Sequence, residues 1–137
     1  MSDLLDELVF PMASDIHTYH WSLVSRAAPA HEQDPYLVCA LIAVESAGNP
    51  WAMRHEPHYR WVHEPLRWSK RLGISIDTER MQQRTSWGCL QVMGAVARER
   101  GCDAPYLSVL CQAPVGLEYG LRHLDWLRDE KGYRSEE

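Results

Sequence analysis

The sequence has no excess of positive charge. Fourteen Lys+Arg stand against nineteen Asp+Glu, a net charge of -5, so the counterion release that drives phosphate-backbone binding has no source and nucleic acid is not an expected partner. Long apolar runs are missing too. The longest uncharged stretch, Pro35 to Val44, falls far short of the roughly twenty residues a membrane span needs, and no membrane anchor is expected. The opening Met1-Ser2-Asp3-Leu4-Leu5-Asp6-Glu7 is acidic and broken by charges, unlike a secretory signal. The four cysteines, Cys39, Cys89, Cys102 and Cys111, lack paired C-x-x-C spacing, so they are expected as reduced, mostly buried thiols. Strand signals are scarce, and neither repeats nor low-complexity segments occur.

What remains is a chain of 137 residues, 45% hydrophobic and 24% charged. These values predict one domain over residues 1–137, and the scarcity of strand signals makes it mainly α. Apolar residues from Leu4 to Val24 recur at three- and four-residue spacing, predicting one amphipathic helix over 2–26, or two broken at Pro11. Ala27 to Gln33 reads as a loop. Asp34 is a good N-cap with Pro35 at the first helical position. The following Tyr36 to Val44 is apolar on nearly every side and predicts a buried helix, stopped by Gly48, Asn49 and Pro50. Residues 51–85 interleave Trp51, Tyr59, Trp61 and Trp68 with Arg, His and Glu, with short helices expected over Glu64–Leu72 and Asp77–Arg84. Ser86-Trp87-Gly88 reads as a turn into a helix over Cys89–Arg100, closed by Gly101. A last helix runs from Ala113 to Lys131, with Leu117, Leu121, Leu124 and Leu127 on one stripe.

Glu45 is the first charged side chain of the apolar helix, in its last turn. There it faces the negative end of the helix dipole, and low-dielectric surroundings would also oppose its ionised form, so its pKa is expected to rise. Such a carboxyl group can donate a proton to a leaving oxygen near neutral pH. The plainer reading is a headgroup that reaches solvent at a helix end.

The run Glu45-Ser46-Ala47-Gly48-Asn49-Pro50, followed by Ser86-Trp87-Gly88-Cys89-Leu90-Gln91-Val92-Met93, resembles the two signatures of the soluble lytic transglycosylase domain, a lysozyme-like fold that cuts bacterial peptidoglycan. In that family the first motif carries the lone catalytic Glu followed by Ser, and the second, usually Gly-Leu-Met-Gln, lines the glycan groove. Here Cys89 replaces one residue of it. Gly116 to Leu124 resembles a third motif, Asn-Ile-x-x-Gly-x-x-Tyr-Leu, with Gly116 in place of Asn and His123 in place of Tyr. Arg54-His55-Glu56-Pro57-His58-Tyr59-Arg60, within a longer spacer, looks like phage-encoded members.

The resemblance implies a lysozyme-like domain with a long loop-rich insertion between the two groove motifs, acting as a monomer on glycan strands of the periplasmic cell wall after synthesis in the cytoplasm. It implies no cofactor and no metal. Glu45 would be the catalytic acid, then base, while Ser46, Ser86, Trp87, Gly88, Gln91, Met93 and Tyr119 would bind substrate or orient Glu45. Two departures stand out. The family's Ala-Tyr-Asn-x-Gly motif, whose Tyr contacts the Glu, would begin where this chain ends at Glu137; the expectation is a C-terminally truncated member, or a variant in which Tyr119 or Tyr133 supplies the hydroxyl. The other is the acidic balance, since peptidoglycan is itself anionic.

The histidines invite a metal reading, but Pro57 breaks the helix that an H-E-x-x-H site needs and His58 comes one residue early. His17 and His20 share a helix face without a third ligand. Two other functions fit the same residues: a hydrolase of the same fold using Glu56 or Glu64 to activate water, and a non-catalytic murein-binding or virion structural module.

Overall fold

The computed structural model describes residues 13–131. Residues 1–12, with the expected break at Pro11, and residues 132–137, with Tyr133, lie outside the described part. The fold is mainly helical around a small three-stranded sheet.

Helix α1 (Ala13–Ala30) runs on over the first four residues of the segment expected as a loop, with Pro29 in its last turn, and residues 31–33 form the connection. The missing Pro29 donor matters little there, because the chain closes at once: the Ala28 carbonyl accepts from His31 and Gln33, and the Pro29 carbonyl from Glu32. Helix α2 (Pro35–Ser46) begins as expected, Asp34 accepting from the Tyr36 amide at 2.9 Å. It ends through Ala47 at φ 51° and Gly48 at φ 83°, a left-handed exit. His20, 2% exposed, donates Nε2–H to the Gly48 carbonyl at 2.8 Å and fixes that exit against α1. Helix α2 is not buried all round. Val38, Cys39 and Ile42 face the core, while Tyr36 and Val44 stay 66% and 81% exposed.

Strands β1 (Met53–His55), β2 (Thr85–Trp87) and β3 (Val92–Met93) form an antiparallel sheet in that order. Met53 pairs with Trp87, and Ser86 with Met93. The helix expected from Cys89 therefore starts later, as α5 (Gly94–Glu99), because residues 88–91 are the turn between β2 and β3. Gly88 at φ 79° and Gln91 at φ 50° leave the right-handed helical region. Gly88 is required twice over, since a Cβ there would lie 2.3 Å from the Leu110 carbonyl oxygen.

Between the two motifs the spacer carries β1 and two eight-residue helices, α3 (Pro65–Leu72) and α4 (Ile76–Gln83). Both helices lie within a residue of expectation, and Ser75 caps α4 by accepting from the Thr78 amide. A 3-10 turn (Leu107–Cys111) leads into α6 (Ala113–Lys131).

Two apolar clusters form the core. The first joins Val24 and Ala28 of α1, Val38 and Ile42 of α2, Cys89, and Leu117 and Leu121 of α6. The second gathers Trp87, Val92, Ala97, Leu107 and Leu110, and Leu90 packs against both. All four cysteines are free and buried. Burial pushes the Cys89 thiol up to about 11, which leaves almost no reactive thiolate. No helix among the described residues is long and apolar enough to cross a membrane.

A polar hub holds the spacer to the rest. Glu79 and Arg98, both fully buried, meet through two bonds, Nη2 to Oε1 at 2.7 Å and Nε to Oε2 at 2.9 Å. Gln82 and Gln83 donate to the same carboxylate at 2.8 and 2.6 Å, and Arg98 also donates to the Cys102 and Ala104 carbonyls. Burial alone would raise the Glu79 pKa, but these donors outweigh it and hold the carboxyl below its ordinary value.

Candidate active site

Glu45 lies in the last turn of α2, on the rim of a cavity of about 230 Å³. Helix α2 contributes Leu41 and Glu45 to its wall. The turn after β2 and strand β3 contribute Leu90, Gln91, Val92 and Met93, and α6 contributes Gly120, His123 and Leu124. The first and second sequence motifs thus meet across one concavity, with the third on its remaining side. The premise of low-dielectric surroundings for Glu45 does not hold in the free protein: its side chain is exposed.

Of the residues expected to bind substrate, Gln91 and Met93 line the cavity. Gln91 has its amide engaged: Nε2 donates to the Ala52 and Gly88 carbonyls at 3.0 and 2.9 Å, and Oε1 accepts from Ser86 Oγ at 2.9 Å. Ser46 directs its hydroxyl away from Glu45, 2.7 Å from the Cys89 carbonyl and 3.0 Å from that of Ile42. Ser46, Ser86 and Gln91 are therefore braces. They fix the helix end and the β2–β3 turn around the cavity, and Gly88 does the same through its close approach to Leu110.

Trp87 and Tyr119 do not line the cavity. Trp87 is 6% exposed, donates its indole N–H to the Gln82 carbonyl at 3.0 Å, and borders a different groove beside the exposed Trp51, Met53 and Tyr106. Tyr119 packs against the second core cluster with the Arg122 guanidinium 4.7 Å from its ring centre. One step along a helix is about 100° of rotation, so Tyr119 turns away where Gly120 and His123, three apart, share the cavity face. Glu56 pairs with Arg54 at 3.0 Å and Glu64 with Arg67 at 3.3 Å; neither borders the cavity.

His123 is the site residue the sequence reading passed over, although it stands in the third motif. Its ring stacks on Trp126 at 5.7 Å and 12°, and Trp126 in turn carries the Arg100 guanidinium 4.6 Å away. Burial first, and the Arg100 charge second, push its pKa below the ordinary 6.5, against a weaker opposing pull from Glu99. Nδ1 is buried without a hydrogen-bond partner among the described residues, so a second ring proton would find no acceptor and the ring is neutral at pH 7. The cavity thus presents one carboxyl group and one neutral imidazole in a mostly apolar wall, a setting suited to proton transfer to and from a bound molecule.

No protein-family model matches the chain, and no curated protein or solved structure is significantly similar to it. Among the described residues no three His, Cys, Asp or Glu side chains stand close enough to hold a metal ion.

Proposed function

We propose that this chain is a lysozyme-like lytic transglycosylase, cleaving the β-1,4 bond between N-acetylmuramic acid and N-acetylglucosamine in peptidoglycan. The observation that carries the reading is the placement of Glu45: a lone carboxyl group in the last turn of α2, facing a cavity walled by the Gln91–Met93 segment.

In this reading a sugar over Leu41, Leu90 and Val92 excludes water from Glu45, which disfavours its ionised form and readies it as an acid. Glu45 then gives its proton to the glycosidic oxygen as the C1–O bond breaks. As carboxylate it takes the proton of the muramic 6-hydroxyl, whose oxygen attacks C1. The product is a 1,6-anhydro end, and Glu45 is again protonated. One carboxyl group suffices, unlike the pair used by ordinary glycosidases. Met93 offers apolar surface to a sugar ring, and His123 offers a neutral hydrogen-bonding group. The positions of Glu56 and Glu64 favour this over a hydrolase that would activate water with either of them.

The test is incubation of the chain with purified peptidoglycan, followed by mass spectrometry of soluble muropeptides. Products lighter by one water than their hydrolysed counterparts are expected. Hydrolysed ends would make the protein a hydrolase, and binding without soluble products would make it a non-catalytic murein-binding module.

A further inference from the structure

The acidic balance of the chain hides a local reversal. Residues 51–85 carry seven Lys/Arg and four Asp/Glu, a charge of +3 within a chain of -5. Three of those four acids are already paired: Glu56 with Arg54, Glu64 with Arg67, and Glu79 with Arg98 from outside the segment. Arg80 and Arg84 have no carboxylate partner among the described residues. They stand four apart at the end of α4, on one helical face, and together with His55, Pro57, Asp77 and Met81 they line a cleft of about 340 Å³.

This cleft has partial order. Arg84 Nε donates to the Tyr59 carbonyl at 3.1 Å, which anchors the guanidinium and leaves its two terminal nitrogens for a ligand. His55 is held at β1, its Nδ1 3.2 Å from Thr85 Oγ1. Asp77 is the one carboxylate in the lining, against two guanidinium groups. A planar fork of donors suits a carboxylate better than a point charge would.

We propose that this cleft binds carboxylate groups of the peptide stems borne by murein glycans; the identity of the ligand rests on the function proposed above. The distances fit. His55 lies three residues along the chain from Ala52, whose carbonyl holds the cavity-lining Gln91, and strand rise places it about 10 Å away. An extended stem of three to five residues spans roughly 10–18 Å. A stem of that length matches the run of chain from the Gln91 brace to His55, and the two guanidinium groups would give a protein of net negative charge a local positive site for an anionic substrate.

The test uses the full chain, labelled for NMR, and three probes: the free murein tetrapeptide, inorganic phosphate, and chitohexaose, which bears no peptide. The tetrapeptide should shift the Arg80, Arg84 and His55 resonances. Its affinity should fall at least about fivefold in the Arg80→Gln/Arg84→Gln double variant, and fall with added salt. The single Arg80→Gln variant, altering an exposed side chain, guards against misfolding and should show an intermediate loss. Chitohexaose should shift Gln91 and His123 equally in all three proteins. Unmoved arginine signals, or an unchanged affinity in the double variant, would overturn the proposal. Phosphate binding as tight as the peptide would overturn the assignment to stems. Peptide binding without any lytic product would leave the cleft standing and remove the transglycosylase reading instead.

Discussion

The Ser46 hydroxyl lies 2.7 Å from the Cys89 carbonyl oxygen and joins the residue after Glu45 to the turn that carries Gln91. Two sequence motifs forty-three positions apart are thereby stapled at the cavity they share. Ser46→Ala should cost about 1 kcal/mol by removing this bond while leaving the carbonyl to find water. In urea titrations the midpoint should fall with an unchanged slope, and turnover should drop more than substrate affinity, since the braces act on geometry.

Glu45→Gln keeps volume and most hydrogen-bonding capacity but removes the titratable proton. Under the function proposed above, turnover on peptidoglycan should fall by at least about a hundredfold, the scale of a lost general acid, with the circular dichroism spectrum unchanged. Gln91→Ala should be milder in chemistry but should also destabilise, because three hydrogen bonds end on that amide. Equal activity of wild type and Glu45→Gln would remove Glu45 from the mechanism.

Gly73 and Gly88 form an internal comparison. Both have positive φ, 70° and 79°, but a Cβ at Gly73 meets open space and one at Gly88 meets the Leu110 carbonyl at 2.3 Å. Gly73→Ala should cost about 1 kcal/mol from backbone conformation alone. Gly88→Ala should cost clearly more and should also disturb the cavity wall. Thermal unfolding of the two variants side by side measures the difference.

Two histidines should give opposite pH slopes. Burial disfavours the charged form of His31, but the hydrogen bonds and charges of Asp125 and Glu118 outweigh it, and its pKa is raised above 6.5. The stabilisation it provides is fully present below pH 6.5 and is lost as pH climbs through the raised value. His123, with its pKa depressed, works the other way: its contribution is present above pH 6.5 and is lost as pH falls through the lowered value. Stability measured from pH 5 to 8 should decline less on acidification for His123→Asn than for wild type, and more for His31→Asn. The same sign for both variants would contradict these assignments.

Local chemistry made part of this legible in the sequence. Asp34, Pro35 and Gly48 each act on their own neighbours, so both ends of α2 could be read from single residues, and the leucine stripe from Leu117 to Leu127 gave α6 with the bounds seen in the structure. The sheet was not legible, because strands of two or three residues are too short to display alternation. Glu45, Gln91 and Met93 could be found because a motif carried them. Trp87 shares the second motif with Gln91 and Met93, and Tyr119 stands in the third, yet both turn into the core, since a motif gives order along the chain and not the side to which each residue points. The Glu79–Arg98 pair had no local sign at all, its partners being nineteen positions apart.

That pair has a consequence for how the molecule opens. Helix α5 has six residues, too few to persist on its own in water, and α4 with eight is little better. Withdrawing either helix would leave a guanidinium or a carboxylate stranded in a dry interior, at a cost of about 3–5 kcal/mol. Neither can fray alone. Amide hydrogens of α4 and α5 should therefore exchange through one shared opening, with a single free energy and a single dependence on denaturant, even though Arg80 on the outer side of α4 is exposed to solvent.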